Sequence, residues 1–388
     1  MKKIFTLLTL FALSFAIFSC SDDDSVTNAT FKPILPDGIT TISNIEVKMT
    51  EKNSGIEYNF AAASTDLLDI TVTPGIYDVE VSADGDNDIK LKGYSGNITF
   101  VNEIEDLNVT LFIYNSSNAN FLISEIYFTG SLASDSKASN DRYFIITNNS
   151  DSTLYADSLV LCGSKFSCDQ NDEYTPDIMS TDFTVSSMIM VPGDGKTYPI
   201  EAHQSFIIAD DAVDFTELNP DACDLSIANF EIVWDSETSG DSDNPEVPNM
   251  INVVNNFTIH SRGLQSYAIG KIDKTIEEYV VDNKYTYSYE FIFGDFHKTM
   301  NQDAYKLSND NIYDAVNLCV PTMFAWLVTD PSVDMGWTYC GAMNYDTERF
   351  DKSVIRKDAG TNVNGQVIYL DTNNSTTDFK AEVTPSLK

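Results

Sequence analysis

From Phe31 onward the chain alternates. Ile45, Val47 and Met49 take every second position between polar neighbours, and Ile70 and Val72 resume the beat. Tyr77, Val79 and Val81 follow, then Val109, Leu111 and Ile113. A period of two puts successive side chains on opposite faces of an extended strand, so each set marks one buried face. Turn material separates the sets: Lys52-Asn53-Ser54-Gly55, Thr73-Pro74-Gly75 and Asp84-Gly85. Short strands with this punctuation predict a small β-sandwich over residues 31–115.

A polar break, Asn115-Ser116-Ser117-Asn118, precedes a region of different character. Phe121–Phe128, Tyr143–Asn148, Ser205–Ala209 and Asn256–Ile259 include long apolar runs in place of strict alternation, the mark of strands covered on both faces. They predict a second sandwich over 120–388, with insertions around 216–255 and 294–352 where strand signals are few. Inside the latter, Asp310–Leu318 predicts a short helix, capped by Asn309 or Asp310 and ended by Pro321. The expected fold class is all-β: two immunoglobulin-like β-sandwich domains, the second with long irregular insertions and a short helix.

The N-terminus follows another logic. Lys2 and Lys3 precede an apolar run from Ile4 to Phe18, then Ser19 and Cys20. A basic start, an apolar stretch too short to span a bilayer as a helix and a small residue at the junction make a secretory signal over 1–19. Ile17-Phe18-Ser19-Cys20 resembles a bacterial lipobox, which implies lipidation of Cys20; the alternative is an ordinary cleaved signal with a chance cysteine. Ser21-Asp22-Asp23-Asp24 resembles the export signal of Bacteroidota surface lipoproteins, implying an outer-membrane protein facing the cell exterior, with residues 20–30 as an acidic tether.

Composition narrows the classes of partner. A formal net charge of −36 opposes binding to nucleic acid and to anionic lipid surfaces. With 43% hydrophobic and 12% aromatic residues the chain has enough apolar surface to fold in spite of its charge. After Cys20 no run of 18 uninterrupted apolar residues occurs, so attachment to the lipid bilayer is expected through acyl chains.

Candidate chemistry is sparse. Cys162, Cys168, Cys223, Cys319 and Cys340 follow the leader; Cys162 with Cys168 and Cys319 with Cys340 are disulfide candidates in an exported protein, buried thiols being the other option. His203, His260 and His297 form no metal-binding spacing with one another or with cysteine, and no G-x-S-x-G elbow is present. Gly195-Lys196-Thr197 imitates the end of a P-loop but lacks its leading glycine. Asp235, Glu237, Asp241, Asp243 and Glu246 offer hard oxygen ligands for calcium, without EF-hand order; the simpler reading is a solvated acidic loop, and no other cofactor is expected. Trp326, Trp337 and Tyr339 fall in an irregular segment, where loop aromatics either grip a ligand or cover a minor core.

Two stretches carry a family resemblance. Ile70-Thr-Val-Thr-Pro-Gly-Ile-Tyr-Asp-Val-Glu-Val81 resembles a strand of carboxypeptidase-regulatory or transthyretin-like sandwiches. Ile123-Ser124-Glu125-Ile126, the Asp141-to-Asn148 strand and Pro199–Ala209 resemble a lamin-tail-like domain, closed by Ser353–Lys357 and Asp371–Phe379, with Ile145 standing where such domains often carry an acid. The whole is similar to an uncharacterised Bacteroidota lipoprotein family. The anchor, the β-architecture, the elaborated loops and the absence of a catalytic set lead to the expectation of a non-enzymatic accessory in nutrient capture, and the resemblance implies a TonB-dependent transporter as its partner. An adhesin or glycan-binding module using the 326–345 aromatics is the first rival, and a secreted hydrolase with a carboxylate pair in the long loops the second.

Overall fold

The computed structural model describes residues 26–388 apart from 37–38, 87–88, 102–103, 115–119, 134–138, 218, 235–242 and 362–363. The chain divides into two compact units between Asn115 and Ser116.

The first unit holds β1 (Thr27–Ile34), β2 (Ile42–Glu51), β3 (Glu57–Ala62), β4 (Ile70–Val72), β5 (Gly75–Gly85), β6 (Lys90–Phe100) and β7 (Ile104–Tyr114). They hydrogen-bond in the order β3-β2-β5-β6-β7-β1-β4. β7 serves both arms of this path. Its first half runs parallel to β1, with Leu107 opposite Phe31, and its second half antiparallel to β6, with Leu111 opposite Gly93. The alternating residues Val47, Met49, Tyr77, Val79, Val81, Leu107 and Val109 meet in one core. Gly93 lets the strands close up: a Cβ there would sit 2.5 Å from the Thr110 carbonyl oxygen. β1 begins at Thr27, so residues 27–30, expected to belong to the tether, are strand. Thr27 and Ala29 are buried in step with Phe31, and that alternation is what recruits them. Cys20 and the leader lie outside the described residues.

The second unit runs β8 (Phe121–Tyr127), β9 (Tyr143–Asn148), β10 (Leu154–Tyr155), β11 (Leu159–Ser164), β12 (Asp182–Met190), β13 (Pro199–Ile200), β14 (Ser205–Ala209), β15 (Phe230–Glu231), β16 (Ile251–Val254), β17 (Tyr267–Lys271), α1 (Ile276–Asp282), β18 (Lys284–Phe293), β19 (Phe296–Ser308), β20 (Ile312–Val316), β21 (Ser353–Arg356), β22 (Asp358–Thr361), β23 (Val367–Tyr369), α2 (Ser375–Asp378) and β24 (Phe379–Val383). One sheet is β18-β19-β12-β11-β17-β20, with β16 also paired to β12; the other is β15-β14-β9-β8-β21-β24. They pack face to face. Leu159, Leu161, Ile189, Tyr267 and Ile269 from the first meet Ile123, Ile126, Phe144, Ile146, Phe206 and Val354 from the second.

Both sheets are covered on their outer faces too, which explains the continuous apolar runs. Val160, Cys162, Val185 and Ala268 turn to a further core closed by Tyr279 of α1. That helix starts with a capping box between Thr275 and Glu278. Tyr127, Tyr143 and Ala209 turn to a core closed by Cys223, Leu225, Ala228 and Val247. The described residues of the 216–255 segment therefore form a packed cover; they include β15 and β16, and the Glu231 carboxylate accepts the Ala212 and Asn244 amides at 2.7 and 2.9 Å.

The expected helix at 310–318 is a strand. Asn309–Asn311 makes one 3₁₀ turn, after which Ile312–Val316 pairs with β17, Ala315 opposite Ala268; sheet pairing outweighs the local helix signal. Likewise 294–308, read as irregular, is mostly β19, one arm of a long hairpin.

A buried ionic seam joins the two sheets. Arg356 of β21 donates to Asp314 of β20 at 2.5 Å and lies 3.4 Å from both Asp371 and Asp378. Its Nε donates to the Ile123 carbonyl at 2.9 Å, while the Ile123 amide donates to Asp314 at 2.7 Å. With more carboxylates than guanidinium here, burial raises Asp314 and Asp378 above the usual carboxylate range, with Arg356 opposing. Beside it Asp334 accepts from Asn317, Gly336 and Ser375, tying the 329–338 loop to α2.

Candidate functional site

β18 reads Tyr285-Thr-Tyr287-Ser-Tyr289-Glu-Phe291-Ile-Phe293, an aromatic at every second position. In a strand these five rings share one face. Tyr287 and Tyr289 stack with centroids 6.2 Å apart, and Gln302 opposite accepts from the Tyr287 hydroxyl at 3.1 Å and donates to that of Tyr289 at 3.2 Å.

The long connection from β11 to β12 folds over this ladder. Thr175 and Ser288 exchange backbone hydrogen bonds of 2.9 and 2.8 Å, which pins the connection to the outer edge of β18. Tyr174 then stacks on Phe166 at 3.8 Å, and both rings meet the edge of Tyr287, at 5.5 and 5.0 Å. Trp326 joins from the other irregular segment, 6.0 Å from Tyr174 and 6.1 Å from Phe166. Its indole nitrogen donates to the Ser167 and Gln170 carbonyls at 2.9 Å each, while the Ala325 amide donates to the Cys168 carbonyl at 2.8 Å. Beneath these loops Cys168, Cys319 and Val328 form a small core against Phe166, Phe324, Trp326 and Trp337.

Phe166, Tyr174, Tyr289 and Trp326 are half-buried: held from below, open from above. Polar groups stand at the rim. Asp172 accepts from Gln170 at 2.8 Å and from the Tyr174 hydroxyl at 3.3 Å. Burial pushes the Tyr287 hydroxyl up to about 12, so it remains a donor at neutral pH. Preformed ring faces with hydrogen-bonding groups at their edge suit a ligand with an apolar face and a polar perimeter, such as a sugar or a planar heterocycle.

The three aromatics singled out in the sequence divide between two places. Trp326 belongs to this face. Trp337 instead stacks on Phe324 at 4.9 Å and tilts against Tyr339 at 5.7 Å, a second half-buried group on the same small core. Phe166, Tyr174 and the β18 ladder were missed by sequence reasoning. The signal was present in the ladder's period of two, but the covering loop that turns it into a face is a tertiary feature.

The remaining candidates have structural explanations. All five cysteines among the described residues are buried free thiols, so neither Cys162–Cys168 nor Cys319–Cys340 is bonded. Cys162 turns to the core under α1, while Cys168 sits with Cys319, which separates the expected partners. Of the proposed calcium ligands, Asp235, Glu237 and Asp241 lie outside the described residues. Asp243 accepts from Asn249 at 2.8 Å, Glu246 is exposed, and among the described residues no group of three or more His, Cys, Asp or Glu is placed to hold a metal. At the P-loop mimic, the Gly195 and Thr197 amides, with that of Tyr198 just after it, donate to the Asp157 carboxylate at 3.0, 2.8 and 2.8 Å, while the Lys196 amide donates to Asp194. A cavity of about 250 Å³ borders Glu125 and Ile145. Glu125 is engaged there by Tyr143, Ser353 and Ser386, at 2.8, 2.8 and 3.1 Å, and clamps the C-terminal residues.

Fold and face together define an all-β protein with sandwich architecture and a preformed aromatic surface on its second unit. Residues 203–386, within the second unit, match the model of a family described as Protein of unknown function (DUF4876). A DUF4876 family protein from Bacteroides thetaiotaomicron is similar in fold, at 19% identity and a TM-score of 0.57, with 94% of this chain and 97% of that one covered. A leucine-rich repeat protein from the same species (9% identity, TM-score 0.21, 73% and 25% covered) carries no argument. Nor does the tip fimbrial protein Mfa3 from Porphyromonas gingivalis with C-terminal truncation (9%, 0.18, 72% and 98%). No curated protein matches the chain.

Proposed function

We propose that the protein is a non-enzymatic binding protein of the bacterial cell surface, anchored through a lipidated Cys20, that captures a nutrient beside a TonB-dependent transporter. The observation that supports the binding role is the face made by Phe166, Tyr174, Tyr289 and Trp326, rigid because two loops are laced together beneath it. Rings fixed in advance bind without the entropic cost of ordering flexible side chains. Anchor, outward location and transporter rest on the resemblance of residues 17–24 to surface-lipoprotein signals and of the chain to Bacteroidota lipoproteins.

A glycan-binding or adhesive role uses the same face, and the stacked Phe166–Tyr174 pair favours it as a second reading, since ring faces receive the C–H faces of sugars. Cell-surface labelling and uptake assays separate the two. Deletion of the gene lowers nutrient uptake on the first reading and a Cys20→Ser variant fails to restore it. On the second, uptake is intact and adhesion or glycan retention is lost. A Cys20→Ser protein that restores full uptake removes the anchored-accessory role.

A further inference from the structure

The same ladder continues outward beyond the ligand face. Past Ser288 the hairpin loses its support: Phe291 through Thr299 are all exposed, and Gly294, at φ +58°, makes the two-residue turn with Asp295. At the tip Phe291, Ile292, Phe293 and Phe296 are 45, 59, 77 and 55% exposed. Phe293 stands opposite Phe296 and shares a face with Phe291; Ile292 projects from the other face. β19 pairs with β12 only from Tyr305 onward, and the Thr175 bridge covers β18 at Ser288, so the outer half of the hairpin has both edges unpaired among the described residues. An apolar tip of this kind marks an interaction site.

Its chemistry selects the occupant. Apolar groups on both faces and two free edges call for a concave site that surrounds the ribbon, not a flat surface. Asp295 stands at the apex without an ionic partner among the described residues. Insertion into a bilayer would drive that carboxylate deepest into hydrocarbon, and a chain of net charge −36 repels both an anionic membrane and a second copy of itself. We infer that the hairpin tip, Phe291–Phe296, docks into an apolar cleft of a different protein at the cell surface, with a lysine or arginine at the cleft floor pairing with Asp295. This surface stands independently of the ligand face, and either can fail without the other.

The test is photo-cross-linking from the full-length protein in the cells that make it, with Phe293 replaced by p-benzoylphenylalanine. The expected result is one discrete protein adduct whose cross-linked peptide, mapped by mass spectrometry, lies in an apolar cleft bearing a lysine or arginine. Its yield falls at least tenfold on adding Asp295→Lys, while the same photoreactive residue at Val281, an exposed position on α1, gives no such adduct. Thermal unfolding midpoints unchanged by the substitutions confirm that folding is intact; if Asp295→Lys lowers the midpoint, Asp295→Asn replaces it. An adduct with lipid, an adduct with a second copy, no adduct, or a yield indifferent to the charge of Asp295 overturns the assignment.

Discussion

Tyr174 lies flat on Phe166, ring centroids 3.8 Å apart and planes 9° from parallel. Nearly parallel stacking at this distance leaves the outer ring as a firm platform, and the Thr175–Ser288 backbone pair beside it fixes the loop that carries it. The binding function proposed depends on this rigidity, which depends in turn on the sandwich below.

Replacing Arg356 tests the sandwich seam. Arg356→Met leaves Asp314 and Asp378 buried without their cation, a loss expected to cost about 3–5 kcal/mol. Urea unfolding followed by tryptophan fluorescence reads it as a lower midpoint. A change below about 1 kcal/mol would show that the pair is not what holds the sheets in register.

The fold class was legible in the sequence and the site was not, for one physical reason. Period-two alternation at Ile45–Met49 and Tyr77–Val81 reports local geometry, so the first unit could be read strand by strand. Ile312–Val316 and Phe230–Glu231 owe their strand state to distant partners, Tyr267–Gly270 and Ile208–Ala209, which no local pattern reports. Trp326 was visible as a loop aromatic, but its neighbours Phe166 and Tyr174 are about 150–160 positions away. Cys168 meets Cys319 for the same reason, against the expectation from nearness in sequence.

Stability of the second unit should fall as pH rises from 5 to 8. Burial raises Asp334 to about 6, above the value near 4 of an unfolded chain. A folded-state pKa raised in this way gives stability that is full below about pH 4 and is lost as pH passes through 6. Across pH 5 to 8 the expected loss is about 1–1.5 kcal/mol for this group alone, the rest of its roughly 2–3 kcal/mol being lost below pH 5. Asp334→Asn removes the titration and flattens that part of the profile, at the cost of lower stability throughout. Urea midpoints that rise between pH 5 and 8 contradict this. In the first unit the sign is opposite. Hydrogen bonds from Ser54 hold Glu51 near 2, and those from Thr41 and Thr40 hold Asp86 near 2, so their contribution is lost as pH falls below about 4.

The thiols give a chemical check. Burial pushes Cys168, Cys223 and Cys340 up to about 12, and all five are enclosed. A soluble form spanning residues 21–388 should show no reaction with Ellman's reagent when native and five equivalents in denaturant without reductant. Three or one would reveal disulfides.

The central claim is that Phe166, Tyr174, Tyr289 and Trp326 receive the ligand. The most direct measurement uses the soluble form with Trp234→Phe and Trp337→Phe, leaving Trp326 as its single tryptophan, titrated against panels of glycans and small nutrients. The account predicts a saturable change in Trp326 emission for one ligand class, with affinity at least tenfold weaker after Tyr174→Ala. A ligand that binds by calorimetry yet leaves Trp326 emission unchanged, with affinity indifferent to Tyr174→Ala, would contradict it.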